Sequence, residues 1–198
     1  MRSNLIAISG FFFFLISVYP SLAGEQAPIS LDRLPEIITG APNHRAEFTE
    51  ERRVLLLTEP VRLLGTLLFR APDLFEKHTL SPQREDLVVD GEWVTVSLPD
   101  QNTEMRFNMT DDPLLHGLLF SLQSLLNGEP GRLAGIFTIE AWGGAKAWTL
   151  RLKPSGRELA ERVRVMRVTG ETHWIRTIEL WETSGDYLIM TIGSEVTE

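Results

Sequence analysis

Four histidines, His44, His78, His116 and His173, are the side chains best suited to acid–base or metal chemistry, and their spacing supports neither. No two stand four residues apart on one helix, and none has a carboxylate at the interval a zinc hydrolase uses. No serine sits in a Gly-x-Ser-x-Gly elbow. Trp142-Gly143-Gly144 and Asn127-Gly128 lack the spacing and the basic residue of a phosphate-binding loop. Two carboxylate pairs, Asp111 with Asp112 and Asp86 with Asp90, have the chemistry to divide acid and base work, but a helix cap and a hairpin turn account for them better. Cysteine is absent, which removes disulfides, thiolate metal sites and cysteine nucleophiles together. The residues predict a protein that is not an enzyme, with no catalytic group, no metal and no cofactor.

Charge narrows the partners further. With 19 basic and 27 acidic residues the chain carries a net charge of −8, a balance that repels phosphate backbones. Arg162, Arg164 and Arg167, near Trp174, interleave with Val163, Val165 and Val168 and read as the solvated face of a strand rather than a nucleic-acid strip. What the chain offers instead is apolar surface. Leu114, Leu115, Leu118, Leu119, Leu122, Leu125 and Leu126 recur at i, i+3 and i+4, with Asp112 placed to cap and Pro113 suited to the first helical position. Asn127-Gly128 ends that helix.

The elements around this helix are mostly short alternating strands. Leu31, Leu34, Ile37 and Ile38 suggest a brief N-terminal helix limited by Pro35. Phe48 to Thr58 and Val61 to Arg70 read as strands separated by Glu59-Pro60, and Ala71-Pro72-Asp73 leads into a short segment beginning Leu74-Phe75. Leu87 to Val89 and Trp93 to Leu98 flank Asp90-Gly91, the clearest hairpin in the chain. Met105 to Met109 adds a strand before the leucine helix. After it come strands at Arg132 to Glu140 and Ala147 to Leu152, a linker or short helix from Pro154 to Glu161, and strands at Val163 to Val168, Trp174 to Trp181 and Tyr187 to Ile192. The last three are separated by Gly170 and Gly185. The predicted class is α+β, mainly β: roughly ten short antiparallel strands with one inserted helix imply a strongly curved antiparallel sheet or an open barrel.

The N-terminus predicts a compartment. Arg2 precedes an apolar run of about 15 residues, Leu5 to Tyr19, short of the roughly 20 needed to span a bilayer. Ser21-Leu22-Ala23 then supplies small residues at a cleavage site. Residues 1–23 read as a secretory signal and 24–198 as the mature domain. The residue after Gly24 is Glu25, not an acylatable cysteine, so the mature chain is expected to be soluble, periplasmic and monomeric.

From Phe48 to Ile192 the sequence resembles the LolA family of lipoprotein carriers, in its divergent LolA-like branch. The resemblance rests on Phe48-Thr49-Glu50, Pro60, the run Gly65-Thr66-Leu67-Leu68-Phe69-Arg70-Ala71-Pro72-Asp73-Leu74-Phe75, and Pro82. Leu87-Val88-Val89-Asp90-Gly91-Glu92-Trp93-Val94, Leu126-Asn127-Gly128-Glu129, Phe137 and Trp148-Thr149-Leu150-Arg151-Leu152-Lys153-Pro154 follow in order. It implies a half-open barrel lidded by helices around an apolar cavity for acyl chains. It also implies transport of acylated cargo between an inner-membrane exporter and an outer-membrane acceptor, as a periplasmic chaperone of outer-membrane biogenesis. For the divergent branch the implied cargo extends to glycolipid, fatty-acyl or polyene species. An envelope sensor is the alternative, although such sensors usually carry a second domain for which this chain has no room.

Alternation then selects the cavity lining: Phe48, Leu67, Phe69, Phe75, Val94, Val96, Phe137, Ile139, Trp148 and Leu150 from the sheet, with Leu115, Leu118, Leu119 and Leu122 from the helix. The family's lid-latching arginine stands immediately before the proline. Here that position is Ala71, and Arg70, one residue earlier, is the candidate latch. Such a shift puts a side chain on the opposite sheet face unless a bulge intervenes.

Overall fold

The computed structural model describes residues 27–40 and 43–195; the expected signal segment lies outside them. Eleven strands form one antiparallel sheet: β1 (Asn43–Arg53), β2 (Val61–Arg70), β3 (Leu74–Ser81), β4 (Glu85–Asp90), β5 (Trp93–Leu98), β6 (Thr103–Asn108), β7 (Phe137–Gly144), β8 (Ala147–Pro154), β9 (Val163–Glu171), β10 (Trp174–Glu182) and β11 (Tyr187–Glu195). Their spatial order is β6-β5-β4-β3-β2-β1-β11-β10-β9-β8-β7. Two meanders therefore meet where β1 pairs with β11, and the sheet curves without closing, its edges being β6 and β7. The outer edge of β7 is capped by the N-terminal segment, through a bridge between Pro28 and Trp142 and hydrogen bonds from the Ile29 amide to the Ala141 carbonyl and from Gly143 to Ala27.

Helix α2 (Pro113–Leu126) connects the two edge strands and packs on the concave face, accompanied by α1 (Leu34–Ile37) and α3 (Arg157–Arg162). Its boundaries follow from the sequence. The Asp112 carboxylate accepts hydrogen bonds from the Leu114 and Leu115 amides at 2.8 and 3.0 Å, satisfying first-turn donors, and Pro113 occupies the first position. Past its end Gly128 adopts φ +72°, and a Cβ there would lie 2.4 Å from the Gly40 nitrogen, so only glycine lets the N-terminal segment cross at that point.

Four elements depart from the sequence reading, each for a local reason. The strand expected at Phe48 to Thr58 is shifted back to Asn43–Arg53, because Val54 to Pro60 forms the β1–β2 loop and leaves Leu55, Leu56 and Leu57 exposed. Pro130, Gly131 and Gly135 hold the start of the expected Arg132 to Glu140 strand in a 3-10 turn, Pro130–Gly135, so β7 begins only at Phe137. The short segment at Leu74-Phe75 is a full strand whose polar residues Lys77 and Thr79 point inward. Gly170 lies within β9 rather than in a turn. The Trp148 indole crosses it, 2.3 Å from where a Cβ would stand, and donates its Nε1 hydrogen to the Thr172 carbonyl.

Candidate functional site

The concave face is built by alternation: Ala46, Phe48 and Glu50 on β1, Gly65, Leu67 and Phe69 on β2, Phe75 on β3, and Ile178 and Leu180 on β10 turn inward and are buried. Helix α2 lies across this face and treats its two halves differently. Its C-terminal half is buried on every side from Ser121 to Leu126 and tied to the turns at one end of the sheet. Gln123 Nε2 donates to the Asp73 and Gly91 carbonyls at 3.2 and 3.4 Å, and Asn127 Nδ2 to the Pro72 carbonyl at 2.6 Å. Its N-terminal half is held by Arg162 Nη1, which donates to Asp112 Oδ2 at 2.6 Å, and by close packing of Gly117 on Leu159. Leu114, Leu115 and Leu118 there stay only half-buried.

The space under the helix follows that division. Between Leu67, Phe69, Phe75, Leu122, Leu126, Ile178 and Met190 the void is about 20 Å³, room for little more than one water. Under the N-terminal half a cavity of about 380 Å³ opens to solvent. That volume is in the range of small-molecule sites, which run from about 300 to 1,000 Å³. Its walls are Phe107, Leu114, Leu115, Leu118, Leu180 and Leu188, and its rim carries Arg52, Arg53, Asp112, Arg162, Glu182, Asp186 and Tyr187. An apolar interior with a polar rim suits an amphiphile whose chain is buried and whose head stays wet.

Two electrostatic features mark the boundary. Glu50, 2% exposed, accepts from Lys77 Nζ at 2.6 Å on one carboxylate oxygen and from Arg52 Nη2 and Nε at 2.6 and 3.1 Å on the other. The Lys77 ammonium also sits 5.0 Å from the centre of the Phe48 ring. This buried cluster stands between the filled and open ends, and Arg52 continues it to the cavity rim. At the rim, partial burial raises the Glu182 pKa above the usual carboxylate range, and the charge of Asp186 adds to the shift against partial relief from Arg162 and Arg52.

The sequence-selected lining residues all lie on the concave side, but they do not form one cavity. Phe48, Val94, Leu119, Phe137, Ile139, Trp148 and Leu150 are buried in the packed core, and Leu67, Phe69, Phe75 and Leu122 surround the small void. Val96 is half-buried against the core, and Leu115 and Leu118 line the open cavity. Arg70 is exposed on the convex face, opposite α2, as the strand's alternation requires. The contacts that fasten the helix come from Gln123 and Asn127. Phe107, Leu180 and Leu188 are cavity walls absent from that selection, although each alternates in phase with its paired strand: Phe107 with Val94, Leu188 with Leu180. Glu50 with Lys77 escaped it because charged residues do not announce burial.

The carboxylates and histidines have other uses. Asp111 and Asp112 cap the 3-10 turn Met109–Asp111 and α2. His78 lies on the convex face between two carboxylates, Asp86 accepting from its Nδ1 at 2.7 Å and Glu76 from its Nε2 at 2.9 Å. Arg167 is exposed and pairs with Glu179, whereas Arg162 turns to Asp112. Among the described residues no group of three or more potential ligands is placed to hold a metal ion.

Residues 23–195 match the family model described as outer membrane lipoprotein carrier protein LolA-like. The chain belongs to that LolA-like family. Family members are periplasmic and share a carrier or binding fold, and among the described residues no helix is long and apolar enough to cross a membrane. Similar solved structures include a LolA superfamily protein from Nitrosomonas europaea, 9% identical over 85% of this chain and 91% of that one, with a TM-score of 0.45. A chain of the Pseudomonas aeruginosa MucA/MucB complex is 17% identical over 85% of this chain and 57% of that one, TM-score 0.42. A DUF1329 family protein from Desulfovibrio piger is 8% identical over 84% and 90%, TM-score 0.35. No protein of curated function matches the chain.

Proposed function

We propose that this LolA-like protein is a soluble periplasmic carrier that takes up the acyl chain of a lipoprotein or other lipid and moves it toward the outer membrane. Residues 1–23 serve as its secretory signal and 24–198 as the carrier domain. The observation that supports this reading is the open cavity of about 380 Å³ walled by Leu114, Leu115, Leu118 and Phe107. Each methylene removed from water contributes about 0.8 kcal/mol, so a chain of ordinary length needs such shelter to cross an aqueous compartment. The polar rim leaves the head group hydrated. A longer chain reaches Leu67, Phe69, Phe75 and Leu122 only if the Gln123 and Asn127 contacts that fasten the C-terminal half of α2 are released. Exporter and acceptor in the two membranes are the partners the family supplies for the same reading.

Protein isolated from the periplasm without detergent is expected to carry a species of lipid or lipopeptide mass in native mass spectrometry. Leu118→Asp puts a charge on the cavity wall and should weaken binding of a fluorescent fatty acid by at least about tenfold with the sheet still folded by circular dichroism. A clean apo mass together with no fatty-acid binding by the unaltered protein would remove the carrier reading.

A further inference from the structure

The β1–β2 loop carries three consecutive leucines into solvent: Leu55 is 60% exposed, Leu56 95% and Leu57 43%. No other described stretch exposes three large apolar side chains in a row. Solvating them is unfavourable, and the described chain covers Leu55 and Leu57 only in part and Leu56 hardly at all. The loop is nevertheless fixed in shape. The Leu55 amide donates to Asp186 Oδ1 at 2.8 Å, the Leu57 amide to the Val54 carbonyl at 2.8 Å, and Arg53 Nη1 to the Thr58 carbonyl at 3.4 Å. Its root lies at the cavity, Arg53 on the rim and Val54 in the lining, so the leucines stand beside the cavity mouth.

We infer that this loop is a lipid-docking wedge, which sets the cavity mouth against a bilayer surface. Three successive residues of a turn project in different directions, so they present no flat face for a shaped protein groove. A fluid acyl layer accommodates side chains at any angle. Charge does not drive the contact: Arg52, Arg53 and Arg62 around the loop are matched by Glu51, Glu59 and Asp186, and Arg52 is already held by Glu50. The wedge therefore acts on zwitterionic as well as anionic lipid and is insensitive to salt. Its use in loading or unloading rests on the carrier reading: an acyl chain leaving the bilayer at Leu56 meets Val54 and the cavity wall without crossing open water. Docking itself needs no cargo.

The test is flotation of the naturally processed protein, its N-terminus confirmed by mass, with protein-free phosphatidylcholine vesicles at low and high salt. Replacing Leu55, Leu56 and Leu57 together by serine should lower vesicle binding by more than about a hundredfold, since burying one leucine is worth about tenfold. Fatty-acid binding by the cavity should persist in that variant. The chain has no cysteine, so Leu56→Cys carries a single polarity-sensitive dye, whose emission should shift to the blue on vesicles. Leu118→Asp should still float, which separates a failed carrier reading from a failed wedge. Absence of binding by the unaltered protein, equal binding by the triple serine variant, or binding only to vesicles that contain membrane protein would each overturn the inference, the last in favour of a protein partner.

Discussion

Under the C-terminal half of α2 the concave face is filled; under the N-terminal half it is open. Both ends draw apolar side chains from alternating positions of β10 and β11, Ile178 and Met190 at one end and Leu180 and Leu188 at the other. They differ in what completes the enclosure. At the filled end, Gln123 and Asn127 bolt the helix to the turns at Pro72, Asp73 and Gly91, and side chains from β1, β2, β10 and β11 meet it with almost no space left. At the open end the helix is held by one capping carboxylate with its arginine and by the packing of Gly117 on Leu159, and a polar rim takes the place of the missing wall. Apolar alternation thus fixes which face is inside, while the polar contacts at each end decide whether that inside is a core or a site.

The sharpest way to break this comparison is to delete volume at each end. Phe69, 1% exposed beside the small void, should cost about 3–5 kcal/mol on Phe69→Ala, measured by denaturant unfolding. Leu118→Ala, on a wall already facing empty space, should cost less than about 1.5 kcal/mol. Equal losses would mean that the open end is packed core in solution. Next in size is the ion cluster between the ends. Lys77→Met leaves one oxygen of a buried carboxylate unpaired and should destabilise by about 3 kcal/mol, whereas the double change with Glu50→Leu should recover most of that loss. No recovery would place the cluster's importance in specific geometry rather than in pairing.

The smallest effect belongs to the rim. Burial and Asp186 raise the Glu182 carboxyl in the folded state, so its ionised form is a cost to folding. The native state regains that stability as pH falls through the raised folded value and loses it above. Glu182→Gln should therefore stabilise the protein at neutral pH by less than about 1 kcal/mol, screened as the group is by solvent, and the advantage should fade at pH below the ordinary carboxylate range. An advantage that grew at low pH would reverse the assignment.

Much of this architecture is legible in the residues. Asp112-Pro113 and Asn127-Gly128 bracket α2 because capping and positive φ are local properties, and Asp90-Gly91 marks the β4–β5 hairpin for the same reason, Gly91 taking φ +60°. Family resemblance supplied the half-open barrel. The β1–β2 loop was misread because Val54-Leu55-Leu56-Leu57 has a strand's composition, and its exposure depends on where β1 meets β11, a contact no local pattern encodes. The site was legible as a face but not as a place on that face. Volume left between α2 and the sheet is a tertiary quantity, and so is the meeting of Glu50 with Lys77, which join from β1 and β3 across the intervening β2.

The pairing of β1 with β11 has a consequence for how the molecule comes to exist. Phe48 stands opposite Ile192 in the ladder, so the centre of the sheet joins residues from nearly opposite ends of the described chain. Such a contact pays its loop-closure entropy last and sets a slow folding rate. Until β11 arrives, the meander from β1 to β6 can zip up by neighbour-to-neighbour hairpins yet must display a bare edge eleven residues long, open to any stray strand. The final strand is therefore the kinetic keystone, and a chain truncated before Tyr187 should aggregate rather than fold into a smaller version of the same sheet.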